Sequence, residues 1–329
     1  MQMQIEDVSM TGATTPASLR NAAFCSIWSS AQVANLGWLV QTVAIGWQMV
    51  TITASDLMVA LVQASTTLPA FILSIVAGAI ADTHSRRSVM IIGLSLIALA
   101  SVALAVAAAF GFLSPWLILA LGFMAGCGFA LNDPAWHASV GDILDKRDIP
   151  AAVTLMSIGY NMTRSVGSAL GGVILAFLGS LAAFLFSACS NLAPLAAVLR
   201  NKWHARPSPL PAERISTAIR DGIRFTALFS DIRATIMRAT LFGLAAIAIL
   251  ALLPLVARDR LAGGPIAYGV LFAGFGTGAC VAGLNNRLLR KVIPQEWLMA
   301  IASIACAVCC ISLAFTSSVP LATLALAIG

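Results

Sequence analysis

Arg164 stands inside an apolar stretch, with Thr154, Ser157, Asn161, Ser165, Ser168 and Gly172 spaced around it. At 100° per residue these positions share one side of a helix, in a sector about 100° wide. Met156, Val166, Leu170 and Val173 fall opposite. A guanidinium flanked by an amide and hydroxyls is equipped to hold an anionic or catecholate-like group. It is also equipped to pin a neighbouring helix through that helix's backbone carbonyls, and the pattern alone leaves both roles open. Two other polar sets accompany it. Gln32, Asn35, Trp38 and Thr42 share one sector of an earlier apolar stretch, and Gln63, Ser65, Thr66 and Thr67 precede Pro69 in another. Hydroxyls can bond their own helix backbone. The amides Gln32, Asn35 and Gln63 are the stronger candidates for a solute pathway, because an amide turned to lipid is costly.

Other chemistry finds no footing. His84, His137 and His204 are scattered, and the seven cysteines sit in apolar runs without partners at zinc spacing. No G-x-x-x-x-G-K-[ST] phosphate loop occurs. The expectation is a protein that is not an enzyme, holds no metal or cofactor, and does not spend ATP directly.

The elements that must position these residues follow from composition. Of 329 residues, 60% are hydrophobic and 10% charged, against about 45–50% and about 25% in an ordinary soluble domain. Mean hydropathy is +0.94. A soluble enzyme, a disordered chain and a soluble coiled coil are excluded, and the continuous apolar runs argue against a β-barrel. An all-α polytopic membrane protein remains. Spans of about 20 apolar residues read as 24–50, 57–80, 88–110, 115–136, 151–178, 181–199, 236–256, 265–286 and 295–316, with a partial tenth from Pro320. Ser114-Pro115, Gly179-Ser180 and Ser318-Val319-Pro320 mark turns between them.

With the amino terminus inside, the inner loops collect nearly all of the 19 basic residues, and the outer loops keep Arg258 and Arg260. This bias predicts a cytoplasmic amino terminus. The net charge of +6 is thereby assigned to the inner membrane face and not to nucleic acid. Residues 1–23 form a cytoplasmic tail, 24–199 a six-helix bundle, 200–235 a cytoplasmic linker and 236–329 an incomplete second bundle. Within the linker, 212–231 reads as a basic amphipathic helix lying on the bilayer. Trp28 and Trp47 on the first span, and Trp116 and Trp136 on the fourth, are expected to anchor the two interfaces. The pairs Gly122/Gly126, Gly167/Gly171 and Gly274/Gly278 are expected to let helices approach closely.

The second-to-third loop reads Gly78-Ala-Ile-Ala-Asp82-Thr-His84-Ser85-Arg86-Arg87, and the corresponding later loop carries Gly283, Arg287, Arg290 and Lys291. The first resembles the G-x-x-x-D-x-x-G-R-R signature of the major facilitator superfamily, with Thr83 and Ser85 as departures. Ala130–Trp136 and Val166–Gly172 resemble the bacterial branch containing the enterobactin exporter and related multidrug and macrolide effluxers, Ser168 replacing a proline usual there. The resemblance implies the major facilitator fold, alternating access, and an inner gate in which Arg86 or Arg87 pairs with Asp133. Asp82 would face the amino-terminal end of an eleventh helix. Family members have twelve spans, so a carboxy-terminally truncated copy is expected. The implied function is secondary active, proton-coupled export of amphipathic small molecules of drug or siderophore type across the bacterial inner membrane. A non-transporting truncated remnant is the alternative. Asp56 and Asp133 are the nearest candidates for protonation.

Overall fold

The computed structural model describes residues 21–83, 85–203, 220, 224–261 and 263–328, without the side chains of 74–76, 79, 81–83, 231, 284, 286–291, 295 and 296. The described chain is helical throughout. In order it forms α1 (Ala22–Ile52), α2 (Asp56–Thr83), α3 (Arg86–Ala109), α4 (Pro115–Ile143), α5 (Ile149–Arg200), α6 (Ser230–Leu255), α7 (Pro265–Val292), α8 (Gln295–Phe315) and α9 (Val319–Ile328).

The starts and breaks have local causes. Asn21 Oδ1 accepts the Phe24 N–H (3.1 Å) ahead of α1, and Ser85 Oγ accepts the Ser88 N–H (3.3 Å) ahead of α3. Ser114 caps α4 in the same way, with Pro115 in the first turn. The 52 residues of α5 are two arms meeting at Gly179, whose φ of +80° suits glycine. The turns expected at Ser114-Pro115 and Gly179-Ser180 are therefore real.

Seven described stretches are long and apolar enough to cross a membrane. The 31-residue α1 is long enough but carries Gln32, Asn35, Gln41 and Gln48. Such a helix is tolerated when protein surrounds it, and α1 lies along α5 for most of its length. The glycine pairs let helices approach closely, Gly167/Gly171 between α5 and α1 and Gly122/Gly126 between α4 and α2. A methyl group added at Gly167 would meet Leu39 at 3.0 Å, one at Gly171 the Val40 Cα at 3.0 Å, and one at Gly126 the Thr66 carbonyl oxygen at 2.5 Å. Gly274 and Gly278 seat α9 in the same way, through Thr323 and Ala327.

The expectation for two of the tryptophans changes. Trp136 is no interfacial anchor: it is buried and stacked on Phe24, with centroids 6.1 Å apart. Trp47 stacks on Tyr268, while Trp116 stays exposed. Bundle packing has claimed the apolar indole area that lipid would otherwise cover. The linker helix over 212–231 lies mostly outside the described residues, of which 224–228 are helical. His84 and His204 lie outside them as well.

Candidate functional site

The later helices meet the earlier ones along α5 and α7, which run antiparallel. At Gly172 and Gly269 the backbones nearly touch: a methyl group added at Gly269 would lie 2.6 Å from Gly172 Cα. Halfway along, one added at Gly276 would lie 3.2 Å from the Arg164 carbonyl oxygen. A methyl group added at Gly283 would have Asn161 Nδ2, at 3.8 Å, as its nearest atom among the described residues. The two helices therefore splay toward the end that carries Arg86 and Arg87. At the other end, marked by Asp56, the contacts are tight. Gly46 on α1 abuts the Tyr268 hydroxyl, and Arg258 Nη2 reaches Asp56 Oδ1 at 3.2 Å.

Arg164 lies midway along the first arm of α5, half-buried where the splay begins. Its guanidinium carbon sits 4.9 Å from the centre of the Phe275 ring on α7, a cation–π contact. It has no acidic or hydrogen-bonding partner among the described residues. The polar residues beside it turn inward on their own helix. Ser168 Oγ donates to the Arg164 carbonyl (2.9 Å), Asn161 Nδ2 to the Ser157 carbonyl (2.9 Å) and Ser157 Oγ to the Val153 carbonyl (3.0 Å). Among the polar groups of this side, the guanidinium alone is left with only a π partner.

The other candidates separate into two groups. With its amide placed to satisfy both neighbours, Gln32 donates to the Gly159 carbonyl (3.0 Å) and accepts from Trp28 Nε1 (3.2 Å). It ties α1 to α5. Thr42 Oγ1 donates to the Trp38 carbonyl (2.9 Å), and Thr66 and Thr67 bond their own helix likewise. Trp38 meets Phe129 of α4 edge-on, with centroids 4.3 Å apart. The half-buried amides of Asn35 and Gln63 have no hydrogen-bond partner among the described residues. They and Arg164 are the groups still open to a solute.

The charged loop differs from the expected pairing. Arg86 Nη1 donates to Asp142 Oδ1 at 2.9 Å and to the Ala138 carbonyl at 3.0 Å, and not to Asp133. Levels along the helices explain this. Gly93 on α3 faces Gly128 and Asn132 on α4, so Arg86, two turns nearer the helix end, is level with 138–142. The reading that ended the fourth span at 136 placed the acidic partner too early; α4 continues to Ile143. Arg87 Nε and Nη2 donate to the carbonyls of Val198, Asn201 and Leu199, closing the end of α5. Asp133 is exposed, 3.8 Å from His137. The side chain of Asp82 lies outside the described residues.

Sequence reasoning missed a buried polar cluster. Ser187 Oγ donates to Gln41 Oε1 (2.7 Å), and Asn191 Nδ2 donates to Ser187 Oγ (3.1 Å) and Ser101 Oγ (2.9 Å). All four residues are buried and join α1, α3 and the second arm of α5. The i, i+4 spacing of Ser187 and Asn191 on an otherwise apolar helix was the available signal. It also missed Phe275 and Tyr268, which only the packing of α7 singles out.

Comparison with known proteins agrees with this architecture. The staphyloferrin A transporter of Staphylococcus aureus (strain NCTC 8325 / PS 47) is 27% identical over 187 residues, covering 56% of this chain and 47% of that protein. The chain thus matches about half the length of this relative. A D-xylose–proton symporter superposes with a TM-score of 0.67 at 15% identity, covering 93% of this chain and 79% of that one. A bacterial homologue of the human lysosomal transporter Spinster, inward-facing and occupied, gives 0.66 at 14%, covering 96% and 72%. At these identities the likeness is one of fold. A family model described as transmembrane secretion effector matches residues 13–329. The chain is therefore a multi-pass membrane protein of the major facilitator superfamily, a family of transporters and not enzymes, and belongs to its transmembrane secretion effectors.

Proposed function

We propose that this chain carries amphipathic, anionic small molecules across the bacterial inner membrane by alternating access, as a proton-coupled exporter of siderophore or drug type. The observation that carries the reading is Arg164: a half-buried guanidinium midway along a spanning helix, with Phe275 and, among the described residues, no acid beside it. A central arginine costs about 2.5–3.5 kcal/mol even on the mildest insertion scale. That cost is offset if the group meets water and a transported anion.

In this reading 24–199 and 236–329 are two bundles, the linker 200–235 joins them, and the spans number nine with a partial tenth. The amino terminus and the Arg86 end are cytoplasmic by charge bias. The splay of α7 from α5 toward that end then opens the pathway to the cytoplasm. Asn35, Trp38, Gln63 and Arg164 border the pathway; Gln32 fixes α1 against α5 beside it, and Thr42, Asn161 and Ser168 shape it from inside their helices. Asp82 and Asp133 belong to the inner gate, with Arg86 and Arg87 as its fixed side in the first bundle. A siderophore cargo is supported by the staphyloferrin A transporter, and proton coupling by the symporter among the fold relatives. The resemblance of Ala130–Trp136 favours the enterobactin and macrolide branch.

The experiment is uptake of labelled anionic siderophores into everted membrane vesicles containing the chain. Energy-dependent accumulation lost in Arg164→Ala, with membrane insertion intact, supports the reading. Accumulation indifferent to Arg164 would remove it.

A further inference from the structure

The charges at the Asp56 end form a second constellation, distant from Arg164. Asp56 opens α2, where a carboxylate meets the positive end of the helix dipole. Arg258 belongs to a single π-helical turn, Val256–Arg260, that follows Pro254 at the end of α6. Its guanidinium is shared. Nε and Nη2 both meet the carboxylate of Asp259, the latter at 2.9 Å, and Nη2 also reaches Asp56 Oδ1 at 3.2 Å. Asp259 is next to Arg258 in the chain and must move with it. Asp56 is on another helix, on the far side of the 200–235 linker, and need not.

We propose that the Asp56–Arg258 pair is a latch that closes this end of the pathway, with Asp259 keeping Arg258 oriented when the latch is open. The proposal rests on the transport reading above. Three observations converge on it. The pair lies at the tight end of the splay, beside Gly46/Tyr268 and Gly172/Gly269, so releasing it acts where the bundles are closest. Pro254 withholds one backbone N–H from α6. The π turn beyond it closes with Leu261 N–H on the Val256 carbonyl at 3.2 Å, in the wider geometry common at functional distortions. The segment carrying Arg258 can therefore turn with little loss of helix bonding. Finally, neither partner is buried, the Asp56 side chain being 67% exposed and that of Arg258 32%. An exposed pair biases an equilibrium without locking it, as reversible gating requires.

Paired spin labels at Thr51→Cys and Ile266→Cys, in the full chain with native cysteines replaced, report the separation of the bundles at this end. Asp56→Asn and Arg258→Gln should each raise the open-to-closed ratio roughly two- to fivefold. The double variant should exceed neither single one, because both remove the same contact. Arg258→Lys, which keeps the charge and loses the fork, should fall between. Unchanged distance distributions in both single variants, or effects that add in the double, would overturn the latch. Distances that shift as expected in a chain that accumulates no substrate would instead count against the transport reading and leave the latch standing.

Discussion

Arg86 Nη1 and Asp142 Oδ1 are 2.9 Å apart, with the carboxylate side chain 4% exposed and the guanidinium 30%. The pair ties the start of α3 to the end of α4 inside one bundle. Arg87 beside it closes the end of α5 through three carbonyls. The two basic residues of the loop thus build the rigid floor of the first bundle. Asp142→Asn should destabilise the folded protein by about 1–3 kcal/mol, since the remaining cation loses its charged acceptor. Asp133→Asn should cost less than about 0.5 kcal/mol, being exposed. Thermal unfolding in detergent, followed by helical circular dichroism, separates the two. Equal effects would return Asp133 to the pairing with Arg86 or Arg87 that the resemblance implied.

The buried cluster at Gln41 makes a sharper contrast. Asn191 is the donor to both Ser187 and Ser101, so Asn191→Leu strands two buried hydroxyl acceptors and should cost about 1–3 kcal/mol. Gln41 Nε2, by comparison, is buried with no partner among the described residues. Gln41→Met gives up one bond from Ser187 but also removes that unpaired donor, and should fall within about 1 kcal/mol of the parent. The same unfolding measurement checks both, and a larger loss at Gln41 than at Asn191 would refute the accounting.

Close backbone approach at Gly172 and Gly269 sets how tightly α5 and α7 meet. Gly269→Val would drive a branched side chain into Gly172 Cα, where even one methyl carbon has only 2.6 Å. The expected result is forced separation of the helices, at about 1–3 kcal/mol of overpacking. Cross-linking of cysteines placed at Ser165 and Gly276, where an added methyl lies 3.3 Å from Ser165 Cα, would fall accordingly. At Gly283 a substitution by alanine finds ordinary contact distance and should leave cross-linking unchanged.

Much of this architecture is legible in the sequence because the bilayer imposes it. Apolar runs of span length and the turns at Ser114-Pro115 and Gly179-Ser180 carry the helix list. The small-residue pairs carry the close contacts. What depends on level between helices is not legible. Asp133 and Asp142 are both acidic residues near the end of one helix, and only the facing of Gly93 on Gly128 decides which meets Arg86. Amides are ambiguous for the same reason: Gln32 and Asn35 share a helix side, yet Gln32 is spent on Gly159 and Trp28 while Asn35 has no hydrogen-bond partner among the described residues. Trp136 reads as an anchor by its spacing from Trp116 and is claimed instead by Phe24. Arg164 is the converse case. Its mid-helix position and polar neighbours identify it without a structure, and the structure adds Phe275 and the absence of an acid among the described residues.

Whether that guanidinium borders water or hydrocarbon can be read directly. Arg164→Cys, in a background without native cysteines, would be treated in membranes with an anionic, membrane-impermeant methanethiosulfonate and, separately, with a lipid-soluble maleimide. A solute route at this position predicts rapid reaction with the anionic reagent from the side carrying Arg86, slowed by an anionic substrate. Reaction with the lipid-soluble reagent alone would place residue 164 against acyl chains and contradict the carrier mechanism.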